Sequence, residues 1–334
     1  MEWLTSARGA AARLRRSALL IAAALVLPVA GQAQDTSRDT LKLAVGAPQN
    51  WENQPAALGQ QAGIFKKHGL VLDLLFTQGS GETMQAVIAG SVDIGTGVGT
   101  YGSMGAFSKG APVRAIGNAT TGAHDLYWYV RADSPIRSLQ DAAGKTIAFS
   151  TVGSSTNVIV LGLMKETSVA LKPTATGSPG NTLTAVMSGQ IDIGWSSPPL
   201  GVEALDEGKI RLIARGSDVA SLRDQTVRVI VANANALAQK KDAIKRFMAA
   251  YNEILDWMYG DDRALQLYAE AVKVPFAIAK RSRDEFYPKS NLRPNRLSGV
   301  DAAMADAIAL KFLAAPLGKE QLGEFFQYQL PPTP

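Results

Sequence analysis

The sequence predicts an α/β protein of two similar halves, joined by two crossing strands and finished by a helical tail. Three observations carry this. A twelve-residue stretch occurs twice, MQAVIAGSVDIG at 84–95 and LTAVMSGQIDIG at 183–194, displaced by 99 positions with six identities. Each copy follows a small, Gly-containing loop, reads as a short amphipathic helix, turns at Gly90 or Gly189, and enters a strand ending in Asp-Ile-Gly. That is one α/β unit used once in each half. From Ala236 onward the pattern changes, with apolar residues recurring at three- and four-residue spacing through a long helix and several shorter ones.

The first 33 residues read as an export address. Arg8, Arg13, Arg15 and Arg16 precede an apolar run over 18–30, and Gly31-Gln32-Ala33 places small residues where a signal peptidase reads. The run is short for a membrane span of about 20 residues, so cleavage near Ala33 and a periplasmic, soluble mature protein are expected. The chain has no cysteine, which excludes a disulfide framework and a lipid-attachment site. Four of its 34 Lys+Arg and one of its 29 Asp+Glu fall in this leader, so the net charge drops from +5 to +2 without it. A balance that close to neutral gives no reason to expect nucleic acid.

In the first half, residues 41–45 alternate as a strand, and Gly46-Ala47-Pro48 ends it. Asn53 and Pro55 occupy cap and first-turn positions of a helix reaching Lys67, which His68-Gly69 stops. Residues 70–76 form the next strand. Such a unit places parallel neighbours side by side with the loops at their carboxyl ends along one edge, where ligands bind. The candidate loops on that edge are 48–53, 78–83 and 96–100.

A resemblance rests on these residues. Ala57-x5-Gly63-Ile64-Phe65-x2-His68-Gly69-Leu70, followed by a strand, a small-residue loop and Ala-Gly-Ser-Val-Asp-Ile-Gly, resembles the solute-binding proteins of ABC importers for nitrate, sulfonates and taurine, over residues 41–231. The resemblance implies the two-lobed periplasmic-binding-protein fold of type II, a cleft that closes on a small molecule, and delivery to a membrane permease. It implies a monomer with no cofactor, and it leaves the solute unnamed.

The cleft-edge loops supply the candidate ligand contacts. Trp51 can pack on a bound molecule or cover the adjacent helix. Ser80, as N-cap, with Gly81, Glu82 and Thr83 opens the first repeat helix, whose free N–H groups suit an anion. Glu82 either offsets the helix dipole or meets the cationic end of a zwitterion. Thr96 and Gly97, with Gly95, Gly99 and Gly102, form a close-approach wall of the cleft; they lack the Lys-Ser/Thr of a phosphate loop. Asp93 and Asp192, matched by the repeat, are expected to accept backbone hydrogen bonds at turns rather than to do acid-base chemistry.

Residues 111–119 and 126–130 read as strands, the second carrying the chain across, with the first crossing at 130–134. That gives a first lobe over 34–130, a second over 131–214, and a return to the first from 215 to the end. His124 stands before the crossing; one such His, with no Cys and with His68 on a turn, is a poor metal site. In the second half, a strand over 145–149 leads through Ser150, Thr151, Gly153, Ser154, Ser155 and Thr156 into a helix ending near Thr167. This is the strongest candidate loop, because hydroxyl donors and a helix amino terminus together suit an oxyanion. After the second repeat come Trp195, Ser196 and Ser197, with Trp195 expected opposite Trp51. Arg215 and Arg228 are near this return, Arg228 within the strand 227–231, and either can reach an anion. The function these features predict is capture of a small anionic or zwitterionic solute. An enzyme on the same fold, of the pyrimidine-synthesising kind, and a ligand-sensing domain are the alternatives.

Overall fold

The computed structural model describes residues 39–330 as one compact unit; the leader expected at 1–33 lies outside the described residues. Ten strands build two sheets of matching plan. In the first half β1 (Asp39–Gly46) lies parallel to β2 (Leu70–Thr77) and β3 (Ile94–Gly99). β4 (Val113–Thr121) closes the far edge. In the second half β5 (Tyr127–Arg131), β6 (Thr146–Phe149), β7 (Lys172–Ala175), β8 (Gly194–Ser196) and β9 (Ile210–Arg215) follow in sequence. β10 (Thr226–Asn233) then returns to the first sheet.

The first sheet has the order β2-β1-β3-β10-β4. In the second, β8-β5-β9 and β6-β7 are joined by a parallel bridge between Ile147 and Ile193, giving β7-β6-β8-β5-β9. The fourth strand in each order is the one that has just crossed, and it runs antiparallel to both neighbours. β5 therefore belongs wholly to the second sheet. The first crossing runs through residues 122–126, ahead of the 130–134 expected. β10, TVRVIVAN, is buried along its whole length, as a β-branched strand between two partners should be.

The repeat is scaffold in both halves. Asp93 Oδ2 accepts the Lys42 N–H at 2.8 Å and Asp192 Oδ2 accepts the Thr146 N–H at 2.9 Å, each tying a turn to the first strand of its half. The repeat also reaches further back than its most similar stretch. The hydroxyls of Thr77 and Thr83 are 2.6 Å apart, and so are those of Thr176 and Thr182, again 99 positions on.

The tail packs on the first half, and aromatic pairs mark the seam. Phe65 stacks on Phe247 at 5.6 Å between centroids, and Phe107 meets Phe325 at 5.3 Å. Helix Lys241–Gly260 presents Ile244, Phe247, Met248, Tyr251, Ile254, Leu255 and Met258 on its buried side, the face its spacing predicts. The tail touches the second half as well: Arg281 pairs with Asp206 at 2.9 Å, and the Tyr287 hydroxyl donates to the Pro198 carbonyl at 2.7 Å. Among the described residues no helix is long and apolar enough to cross a membrane.

Candidate functional site

Where the halves face each other they leave an open-mouthed cavity of about 40 Å³, room for only a few waters. The first half contributes the loop after β1. Trp51 anchors that loop from behind, its ring edge-on to Tyr268 at 4.9 Å and to Tyr259 at 5.8 Å, with none of its surface exposed. The Tyr268 hydroxyl holds the Gln49 carbonyl at 2.8 Å, and Asn53 Nδ2 reaches the Ala47 carbonyl at 3.3 Å. So fixed, the short 3-10 turn Trp51–Asn53 lets Asn50, Glu52 and Asn53 line the cavity.

Behind that lining lies a buried charge cluster. Arg228 Nη1 donates to Glu52 Oε1 and Nη2 to Asp125 Oδ1, the latter at 2.5 Å; each of the three side chains is no more than 5% exposed. Thr120 Oγ1 donates to Glu52 Oε2 at 2.5 Å. Arg228 Nε and Asp125 Oδ2 have no protein partner. The pairing of β10 with β4 shifts register on both sides of Arg228, the kind of irregularity that re-aims a strand side chain. Burial pushes the Glu52 carboxyl up to about 7; the Arg228 charge opposes this and Asp125 adds to it. Burial also works against the Arg228 charge, but Asp125 and Glu52 outweigh it and hold the guanidinium protonated. Burial raises the phenols of Tyr251 and Tyr287 above their ordinary value, which keeps them neutral.

The second half contributes the amino terminus of helix Ser155–Thr167. Ser154 is its N-cap, its Oγ accepting the Asn157 N–H at 3.2 Å, and Thr156 Oγ1 accepts the Ser150 N–H at 2.8 Å. Ser154 and Thr156 also share a hydroxyl–hydroxyl hydrogen bond at 2.8 Å, and Ser150, Ser154, Ser155 and Thr156 line the cavity beside a helix amino terminus. Trp195 completes this wall, its indole N–H donating to Thr176 Oγ1 at 3.3 Å.

The halves meet along a seam of glycines. A methyl on Gly99 would run into the Gly153 carbonyl oxygen, and one on Gly102 would lie 2.8 Å from it. Gly79 and Gly81 leave 2.9 Å to Ser150 Oγ and Thr151 Oγ1 in the same sense. The close-approach role read for the Gly95–Gly102 run thus falls on Gly99 and Gly102, while Gly95 packs against Thr83 and Val87 inside its own half.

Of the candidates named from sequence, Ser80, Gly97, Ser150, Ser154, Ser155, Thr156, Trp195 and Arg228 line the cavity. Others stand elsewhere. Trp51 is core, because the tail folds back over it, and it does not face Trp195. Ser80 is the first helical residue rather than the cap, which is Gly79; its hydroxyl accepts the Gly99 N–H at 2.9 Å. Glu82 is exposed and accepts the Gln78 N–H at 2.7 Å, closing its own turn. Thr83 is buried beneath the cavity on Thr77, and Thr96 is buried with its hydroxyl unpartnered. Gly81, Thr151 and Gly153 belong to the seam. Ser196 bonds the Leu200 carbonyl at 2.9 Å, and Ser197 is buried outside the lining. His124 is exposed beside Asn291, and Arg215 lies over the Phe286 ring at 5.7 Å. Sequence reasoning missed Asn50, Glu52, Asn53 and Gln78. The available signal was an acid and two amides flanking Trp51 at the carboxyl end of a strand.

Solved structures share this architecture at low identity. The alkanesulfonate-binding protein SsuA from Xanthomonas axonopodis pv. citri, bound to MOPS, aligns with a TM-score of 0.68 at 20% identity, over 81% of this chain and 90% of that one. A Candida albicans gene product with the generic periplasmic binding protein fold aligns with a TM-score of 0.70 at 16% identity, over 86% and 96%. The desulfurization enzyme DSZB aligns with a TM-score of 0.57 at 18% identity, over 85% and 96%. No curated protein matches the chain by sequence. The model of the NMT1/THI5-like family, in contrast, matches residues 50–264, well over half the chain. The chain is therefore a member of the NMT1/THI5-like family, built on the periplasmic-binding-protein fold.

Proposed function

We propose that this protein is the periplasmic solute-binding component of an ABC importer, a monomer that captures a small anionic or zwitterionic organic solute and presents it to a membrane permease. The observation that carries the reading is convergence. Two helix amino termini, Ser80–Ile88 from the first half and Ser155–Thr167 from the second, bring hydroxyls to one cavity across a glycine seam. Only a ligand touching both halves favours their closed arrangement. The space between the halves is about 40 Å³, so a solute larger than a few waters needs them further apart. Exposed helix termini supply about 0.3 to 1 kcal/mol each to a charge, against about 8 kcal/mol for micromolar binding. Trp195, Asn50, Asn53 and the loop hydroxyls supply the remainder.

DSZB is an enzyme on this fold, so catalysis is the competing reading. Against it, the residues lining the cavity include neither His nor Cys, the usual base and the usual strong nucleophile of such sites. Isothermal titration of the purified protein with alkanesulfonates, nitrate, aromatic carboxylates and pyrimidines tests the proposal. Saturable binding of one molecule, recovered unchanged, is expected; turnover of the bound compound would sink it.

A further inference from the structure

Glu52 and Arg228 are the only charged residues lining the cavity, and Asp125 stands directly behind them on the same guanidinium. Two carboxylates share one cation. With both ionised, the cluster carries a net negative charge beside the place where an anion would sit, in a site with little water to screen it. An ammonium group would fare poorly at Glu52, because Oε1 already accepts from Arg228 and Oε2 from Thr120. What the cluster leaves open is one donor, the buried Arg228 Nε, and one acceptor, Asp125 Oδ2 on the far side of the guanidinium from Glu52.

We infer that the site takes a monoanionic solute together with one proton, which settles on the Glu52 carboxyl as the anion enters. One added proton restores charge balance, and Glu52 is the carboxyl of the pair that lines the cavity. Protonated Glu52 leaves Arg228 and Asp125 as a neutral pair, and the anion is then met by Arg228 and the helix amino termini without an opposing carboxylate. The proton comes from solvent and returns to it on release. Arg228 comes from β10, Asp125 from the crossing, and Thr120 from β4, while Tyr251, Tyr259 and Tyr287 of the tail are neutral because burial raises their phenols. Burial raises the Glu52 carboxyl to about 7.

The inference rests on the solute-binding reading and deepens it. The test is titration calorimetry of the whole protein with ethanesulfonate, benzoate and taurine at pH 6 to 9, in phosphate and in Tris, whose different ionisation heats report protons taken up per ligand. For the monoanion that binds best, affinity should fall about 100-fold from pH 6 to pH 9, with uptake approaching one proton at the alkaline end. Glu52→Gln should bind with a flat pH profile and no uptake, while Glu82→Gln, at an exposed carboxylate, should behave as the parent. If Glu52→Gln does not fold, Thr120→Val removes a bond to the charged carboxylate and should move the pH midpoint upward; an unmoved midpoint overturns the inference. PH-independent binding without proton uptake overturns it while leaving the solute-binding reading intact, as does taurine outcompeting ethanesulfonate at pH 8. Failure of every monoanion to bind at any pH overturns both.

Discussion

The two halves share one plan and differ in what they place at the cleft. Strand order, the turn aspartates and the threonine pairs correspond across them. The loops after the first strand of each half do not. After β1 the chain sets Asn50, Glu52 and Asn53 on a 3-10 turn; after β6 it sets Ser150, Ser154, Ser155 and Thr156 on a helix amino terminus. One wall is charged and amide-rich, the other hydroxylic. The two halves share the frame and differ in cleft chemistry, because surface loops at a strand's carboxyl end tolerate change that the strands they join do not.

That contrast can be broken from either side. The largest effect should come from Arg228→Met, which leaves Glu52 and Asp125 facing each other without a cation. A loss of about 3 to 5 kcal/mol is expected in urea denaturation at pH 8, smaller at pH 6, where Glu52 takes up a proton. Next, Gly99→Ala should prop the halves apart at the Gly153 carbonyl, weakening solute binding at least tenfold. The radius of gyration in solute should then resemble that of the solute-free protein, and the unfolding midpoint should move little. The equivalent aspartates should separate by exposure. Asp93→Asn, at a side chain 12% exposed, should cost about 1 to 2 kcal/mol, and Asp192→Asn, at 35%, less than about 1; neither should alter affinity. A further test is the pH dependence of the solute-free protein. Glu52 has a raised carboxyl, so its contribution is full below about 4.5 and is lost as pH rises through about 7. The thermal midpoint should therefore decline gently from pH 5.5 to 7.5, and Glu52→Gln should flatten that decline.

The frame was legible in the sequence because it is written in local patterns. Strand alternation, Gly stops and the twelve-residue repeat all act within a few residues, and the aspartates' role followed from their place before Ile-Gly. The charged wall was harder to see. Trp51 looked like a ligand platform because nothing nearby announces Tyr259 and Tyr268, more than 200 positions on. Its neighbour Glu52 was passed over for the same reason. Arg228 was read only as one of two arginines able to reach an anion, yet it interrupts a β-branched run that is buried end to end, and a charge there must find partners. That rule would have predicted the carboxylates without naming them.

The crossing strands have a consequence for synthesis. Every strand of the second sheet lies between Tyr127 and Arg215, whereas the first sheet lacks its fourth strand until Thr226–Asn233 has been made. A chain emerging from its amino terminus can therefore finish the later domain first. The earlier one waits with β3 paired only to β1 and β4 without its strand partner, and a truncation anywhere between residues 216 and 225 should yield one folded half and one open sheet edge, a template for aggregation.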